Sequence, residues 1–276
     1  MSIKYGYLGP VGTFTEAALQ KIASSDDQLI AYANVTAALE AVRKGDCQKA
    51  LVPIENSVEG VVARTLDELA SGEPLVITQE VTLPVSFALL TLPATDPKDI
   101  KSIATHPHAE SQCRSFIAKN YPTAQIIETP STAAAAKGLA NKDYEAAIAG
   151  VNAAKNYNLK IINEDIGDNQ SAVTRFVVVE KPGSQVGATG KDRTSLAVFI
   201  AIDHAGALLE ILNEFAKHQV NLTFIQSRPT GSQLGHYHFI IDAEGHIEDK
   251  PISAALAGLK QICEDIRFLG SYPQAK

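Results

Sequence analysis

The sequence predicts an α/β protein of two similar lobes followed by a small βαββαβ domain. Short apolar runs alternate with helical patterns over residues 3–160, and the second half of that stretch repeats the spacing of the first. Residues 194–271 then read strand, helix, strand, strand, helix, strand, the ferredoxin-like order. A chain of 276 residues is long enough for about two domains with their own cores.

Residues 3–8 read as a strand, and Gly9-Pro10-Val11-Gly12 turns the chain into a helix that opens on the capping-box pattern Thr13-x-x-Glu16. These glycines do not fit G-x-G-x-x-G and no Lys-Ser/Thr follows, so the loop suits a small carboxylate better than a dinucleotide. A helix over 35–44 ends at Gly45-Asp46. The apolar strand 50–54 runs into Glu55-Asn56-Ser57-Val58-Glu59-Gly60. Asn and Ser there serve either a site at a strand's C-terminal end or the cap of a helix over 61–70.

Setting Ile100-Lys101 on Ile3-Lys4 brings Pro107 onto Pro10. Setting Thr132-Ala133-Ala134 on Thr36-Ala37-Ala38 brings Ala146 onto Ala50 and Asn152 onto Asn56. We read one lobe over 3–80 and a second over 83–160, with 161–180 returning to add a last strand to the first. Thr174-Arg175 and Glu55-Asn56-Ser57 then fall on one wall of an interlobe space. Thr105-His106-Pro107 and Gln112 fall on the other.

The returning segment is the most informative. Residues 166–180, I-G-D-N-Q-S-A-V-T-R-F-V-V-V-E, carry a polar approach into a buried strand with Thr174, Arg175 and Phe176 at its mouth. A hydroxyl and a guanidinium held at a strand end are good groups for gripping a carboxylate, and Phe176 reads as core or wall. After 181 the Gly- and Ser-rich run to 193 reads as a linker. In the following domain, Asp203 to Leu208 enters a helix and Gln226-Ser227-Arg228-Pro229 ends a strand.

A net charge of −7 with dispersed basic residues argues against nucleic-acid or anionic-membrane partners. Three widely spaced cysteines, an odd number, argue against a disulfide framework and a zinc knuckle. His106-x-His108 and His236-x-His238 lack a third ligand at metal spacing, and no G-x-S-x-G elbow surrounds a serine. With no basic-then-apolar start and no run of 18 apolar residues, we expect a cytoplasmic protein.

The combination G-P-x-G-T-F-T-E at Gly9–Glu16, I-E-N-S at Ile54–Ser57, His106-Pro107, Gln112-Cys113 and T-R-F at Thr174–Phe176 resembles the prephenate dehydratase family. G-A-L at Gly206–Leu208 and S-R-P at Ser227–Pro229 resemble its ACT regulatory domain. The resemblance implies a periplasmic-binding-protein-like catalytic domain over 1–181 and an ACT domain over 194–276. It implies decarboxylative dehydration of prephenate to phenylpyruvate, on the way to phenylalanine, with no metal or organic cofactor. Thr174, Glu55, Asn56 and Gln112 would be catalytic. Arg175, Phe176, Ser57, Thr105 and Thr13 would bind substrate. L-Phenylalanine would bind at the ACT interface through Gly206, Ala207, Leu208, Gln226, Ser227, Arg228 and Pro229, in a homodimer or homotetramer. Gln226 stands where the family carries glutamate, which bears on regulation. Arogenate dehydratase, or a two-lobed binding protein without catalysis, are the alternative readings.

Overall fold

The computed structural model describes residues 2–183, 186–200, 204–230 and 237–275. Asp203 and His236 lie outside them. The first elements are β1 (Lys4–Leu8), α1 (Phe14–Gln20), β2 (Gln28–Tyr32), α2 (Val35–Lys44), β3 (Lys49–Asn56), β4 (Gly60–Val61), α3 (Ala63–Ser71) and β5 (Val76–Pro84). There follow β6 (Ala88–Thr91), β7 (Ser102–Thr105), α4 (Pro107–Gln112), α5 (Arg114–Asn120), β8 (Gln125–Glu128), α6 (Thr132–Ala140), β9 (Ala146–Ala149), α7 (Val151–Asn156), β10 (Lys160–Asn163) and β11 (Val173–Glu180).

One sheet has the order β2-β1-β3-β11-β5, with β4 on β3; a second has the order β10-β6-β9-β7-β8. The expected repeat is visible in these orders, because β2-β1-β3 recurs as β8-β7-β9, with β1–β2, β7–β8 and β7–β9 all parallel. Each triplet is extended by a strand from outside its own run: β6 pairs antiparallel with β9, and β11 lies beside β3. The returning strand is therefore interior, between β3 and β5, rather than an edge. Its residues 174–179 are buried without interruption, as a strand covered on both faces requires. Alanines crowd one face of the second sheet, where Ala104, Ala135, Ala136, Ala147, Ala149 and Ala153 let α6 and α7 approach closely. Its other face packs Leu89, Ile103 and Ile148 against Ala109, Cys113 and Ile117.

Contacts divide the chain into two compact units, one of Met1–Ala38, Leu51–Val62 and Thr82–Phe176, the other of Leu39–Ala50, Ala63–Val81 and Val177–Lys276. The second unit holds β12 (Asp192–Ile200), α8 (Ala207–Lys217), β13 (Leu222–Pro229), β14 (Tyr237–Glu244), α9 (Lys250–Ile262) and β15 (Cys263–Pro273). Its sheet runs β13-β14-β12-β15, fully antiparallel, and gives the expected βαββαβ domain. Ile211, Phe215, Ile252 and Leu259 of the two helices pack on Leu196, Val198, Phe239 and Ile241. Within the same unit, residues 63–81 pair with this sheet through Arg228 to Asp67, Arg193 to Glu80, and Arg267 to the Gly72 carbonyl.

Gly270 marks the tightest of these approaches. Its φ of +143° suits glycine, and a Cβ there would run into the Ile77 backbone oxygen. Gly270→Ala should therefore lose about 3 kcal/mol of stability. A urea midpoint equal to that of the parent chain would refute this.

Candidate active site

The site is built on the β3–β11 pair. The Ser57 amide donates to the Val173 carbonyl at 2.9 Å, and the Val173 amide donates to Ser57 Oγ at 2.9 Å. That register sets Asn56 opposite Thr174 and Glu55 opposite Arg175. Asn56 Nδ2 donates to Thr174 Oγ1 at 2.8 Å, while Asn56 Oδ1 accepts from the Val58 and Glu59 amides at 2.8 and 2.9 Å. Both ends of the amide are thus occupied, and its orientation follows from the backbone donors. The Thr174 oxygen is an acceptor in this pair, so its own proton is directed elsewhere.

A cavity of about 670 Å³ lies where that proton can point. From the first lobe its wall takes Gly9, Pro10, Thr13, Phe14, Pro53, Thr174 and Phe176; from the second it takes Ser131, Thr132, Lys137 and Asn141. Thr13 caps α1 by accepting from the Glu16 amide at 3.3 Å and donates to the Leu8 carbonyl at 3.1 Å. The Glu16 carboxylate does not complete the capping box. It accepts instead from the Gly12 amide at 2.6 Å, Tyr7 Oη at 3.2 Å and Asn156 Nδ2 at 3.0 Å. Burial, and then the Glu16 charge, push the Tyr7 hydroxyl far above its ordinary pKa, so it stays a donor. Asn152 Nδ2 on the Thr13 carbonyl and Tyr157 Oη on the Val11 carbonyl fasten the same loop from α7.

The residues expected on the site divide into two groups. Thr174, Phe176 and Thr13 line the cavity, and Asn56 reaches it through Thr174. Arg175 is turned away, because successive strand residues point to opposite faces; it sits 3.8 Å from Glu55. Ser57 is engaged with Val173. Gln112 Nε2 donates to Glu59 Oε1 at 2.8 Å, with His108 Nδ1 3.6 Å from the other Glu59 oxygen.

Thr105 requires a correction. It is fully buried and its hydroxyl donates to the Ile148 carbonyl at 2.9 Å, so it faces the neighbouring strand and not the cavity. The second wall comes from the start of α6 and not from Thr105 to Gln112. The repeat carried the signal for this, since it aligns Thr132 with Thr36 at the head of a helix. Among the described residues no group of three His, Cys, Asp or Glu gathers in metal-binding geometry. No helix of the described residues is long and apolar enough to cross a membrane.

A family model of prephenate dehydratase matches residues 5–184, and one of the ACT domain matches residues 194–261. The chain belongs to the prephenate dehydratase family. It is a carbon–oxygen lyase. A prephenate dehydratase of Amycolatopsis methanolica is 42% identical over 273 residues, covering 99% of this chain and 89% of that one. The crystal structure of prephenate dehydratase from Arthrobacter aurescens in complex with L-Phe is 48% identical, with a TM-score of 0.94 over 99% of this chain and 90% of that one. The prephenate dehydratase of Staphylococcus aureus is 29% identical, with a TM-score of 0.84 over 98% of this chain and 100% of that one.

In the ACT domain, Gly206 opens α8 at φ +100°, with Ala207 buried and Leu208 exposed behind it. Gln226 Nε2 donates to the Ser227 carbonyl at 3.0 Å. Arg228 is engaged: its Nε and Nη2 grip the Asp67 carboxylate at 2.8 and 2.7 Å. A cavity of about 390 Å³ takes Ala207, His204 and Glu210 in its wall, and none of Gln226 to Pro229. Of the two segments expected to share an effector, that cavity takes only Ala207.

Glu16→Ala would strip the acceptor from three donors that shape the Thr13 loop, for a loss of about 2–3 kcal/mol. An unchanged unfolding midpoint would mean that α7 alone holds the loop.

Proposed function

We propose that the chain converts prephenate to phenylpyruvate, with Thr174 at the departing hydroxyl. The observation that carries this reading is the Asn56–Thr174 hydrogen bond at the cavity wall, which leaves the threonine proton free to be donated. Prephenate is a dianion whose ring becomes aromatic once two bonds break. The carbon–carbon bond to the ring carboxylate breaks and CO₂ departs; its electron pair enters the ring; the ring carbon–oxygen bond breaks, and hydroxide leaves with a proton as water. Thr174 supplies a hydrogen bond to the oxygen as charge develops on it. A threonine hydroxyl is too weak an acid to give up its proton outright, so water completes the transfer. Phe14, Phe176 and Pro53 present apolar surface, which favours the step from carboxylate to neutral CO₂.

Glu55, Arg175, Ser57, Gln112 and Thr105 act one layer back. The first three fix the β3–β11 register and so the Asn56–Thr174 geometry. Gln112 restrains the Asn56–Glu59 turn through Glu59.

L-Phenylalanine is the effector in this reading, taken up where Gly206–Leu208 of one copy meets Gln226–Pro229 of another. The exposed Leu209, Ile225 and Tyr237 support this. Arg228 then has a coupling role. It grips Asp67 on α3, the helix that follows the Asn56–Gly60 turn, so an effector that displaces Arg228 changes how that turn is held.

Incubation with prephenate and with arogenate, followed by the absorbance of the aromatic product, tests the activity; inertness toward both would dismiss it. Thr174→Ala should lose a hundredfold to a thousandfold in kcat, on the order expected for one transition-state hydrogen bond, with the fold intact by circular dichroism. Asp67→Asn should keep basal turnover and lose most of its response to phenylalanine. An unaltered inhibition curve would remove Arg228–Asp67 from the coupling.

A further inference from the structure

The dianion needs a positive charge, and the T-R-F arginine is not in the cavity. Arg175 faces the other side of the sheet, beside Glu55. The cavity wall nonetheless carries a cation. Ala134, Lys137, Gly138 and Asn141 all line it, which is the i, i+3, i+4, i+7 face of α6. Lys137 is the charged side chain among the described lining residues, and among the described residues it forms no ion pair. An ammonium without a partner among the described residues, across from a hydroxyl that has one, is what an anionic ligand would complete.

We propose that Lys137 is a substrate-positioning residue that binds the side-chain carboxylate of prephenate, the one retained in the product. The assignment rests on the reaction proposed above. Lys137 touches neither breaking bond. Its ammonium holds an oxygen of the retained carboxylate, and Thr174 on the opposite wall meets the departing hydroxyl. The ring carboxylate is left against the apolar surface from which it departs as CO₂. Because the retained carboxylate has the same charge before and after the reaction, this contact is felt in binding rather than in the chemical step.

The test is steady-state kinetics of the full chain with prephenate at several salt concentrations, for the parent, Lys137→Met, Lys137→Arg and Thr174→Ala. In Lys137→Met, KM should rise about tenfold or more with kcat within about twofold of the parent, and the salt dependence of KM should flatten. Lys137→Arg should restore most of the affinity. An unchanged KM in Lys137→Met, or a loss confined to kcat, overturns the assignment. If that result comes with an inactive Thr174→Ala, only the lysine is refuted. If Thr174→Ala retains full turnover, the reaction reading falls and the lysine assignment falls with it.

Discussion

The amide of Asn56 is the fixed point of the site. Its oxygen is consumed by two backbone donors of the following turn, so its nitrogen has one direction in which to donate. That direction ends on Thr174. The threonine oxygen is consequently held by a donor that the backbone orients, on the wall of the cavity. The Ser57–Val173 exchange holds the register, and the Glu55–Arg175 pair on the reverse face strengthens it. A slip of one residue would exchange Thr174 for Arg175 at the wall.

The same pleat explains where reading the sequence succeeded and where it did not. Two strand–helix runs with matching spacing were legible, and the sheet orders β2-β1-β3 and β8-β7-β9 bear out that repeat. The buried strand at the end of 166–180 was legible as well, because a polar approach to an apolar β-branched run is a local pattern. What a linear reading lost was facing. Thr174 and Arg175 are adjacent along the chain and on opposite sides of the sheet, whereas the expected placement of Asn56 beside Thr174 is seen in their hydrogen bond. Thr105 failed similarly, since its hydroxyl satisfies a neighbouring strand's carbonyl inside the second sheet. Asn152, Asn156 and Tyr157, on α7 and at its end, hold the Thr13 loop; the repeat marked Asn152 as the counterpart of Asn56, whereas Asn156 and Tyr157 are single polar residues that carried no signal of their own.

The ACT domain shows the converse. Its order of elements followed directly from periodicity, but the work of Arg228 could not. A guanidinium in an effector motif reads as a ligand for a carboxylate. Here that carboxylate belongs to Asp67 of α3, with Arg267 capping the far end of the same helix at the Gly72 carbonyl. Two strands of the domain therefore hold one catalytic-domain helix by its side chain and by its C-terminus, a favourable place for a cation.

A chain of net charge −7 that takes a dianion needs its positive charge placed locally, and the placement matters more than the amount. Cations around both carboxylates would stabilise the bound substrate most strongly at the group that must lose its charge, and that would lower the ground state ahead of the transition state. A single lysine on one wall avoids this. It grips the carboxylate that survives the reaction and leaves the other in an apolar setting that CO₂ tolerates better than an anion does. In the proposed reaction Thr174, neutral and held by Asn56, would interact most strongly as charge builds on the leaving oxygen. On this proposal the turned-away arginine and a lysine with no ion pair among the described residues make one design, in which charge binds the part of the substrate that persists and a polarised hydroxyl meets the part that leaves.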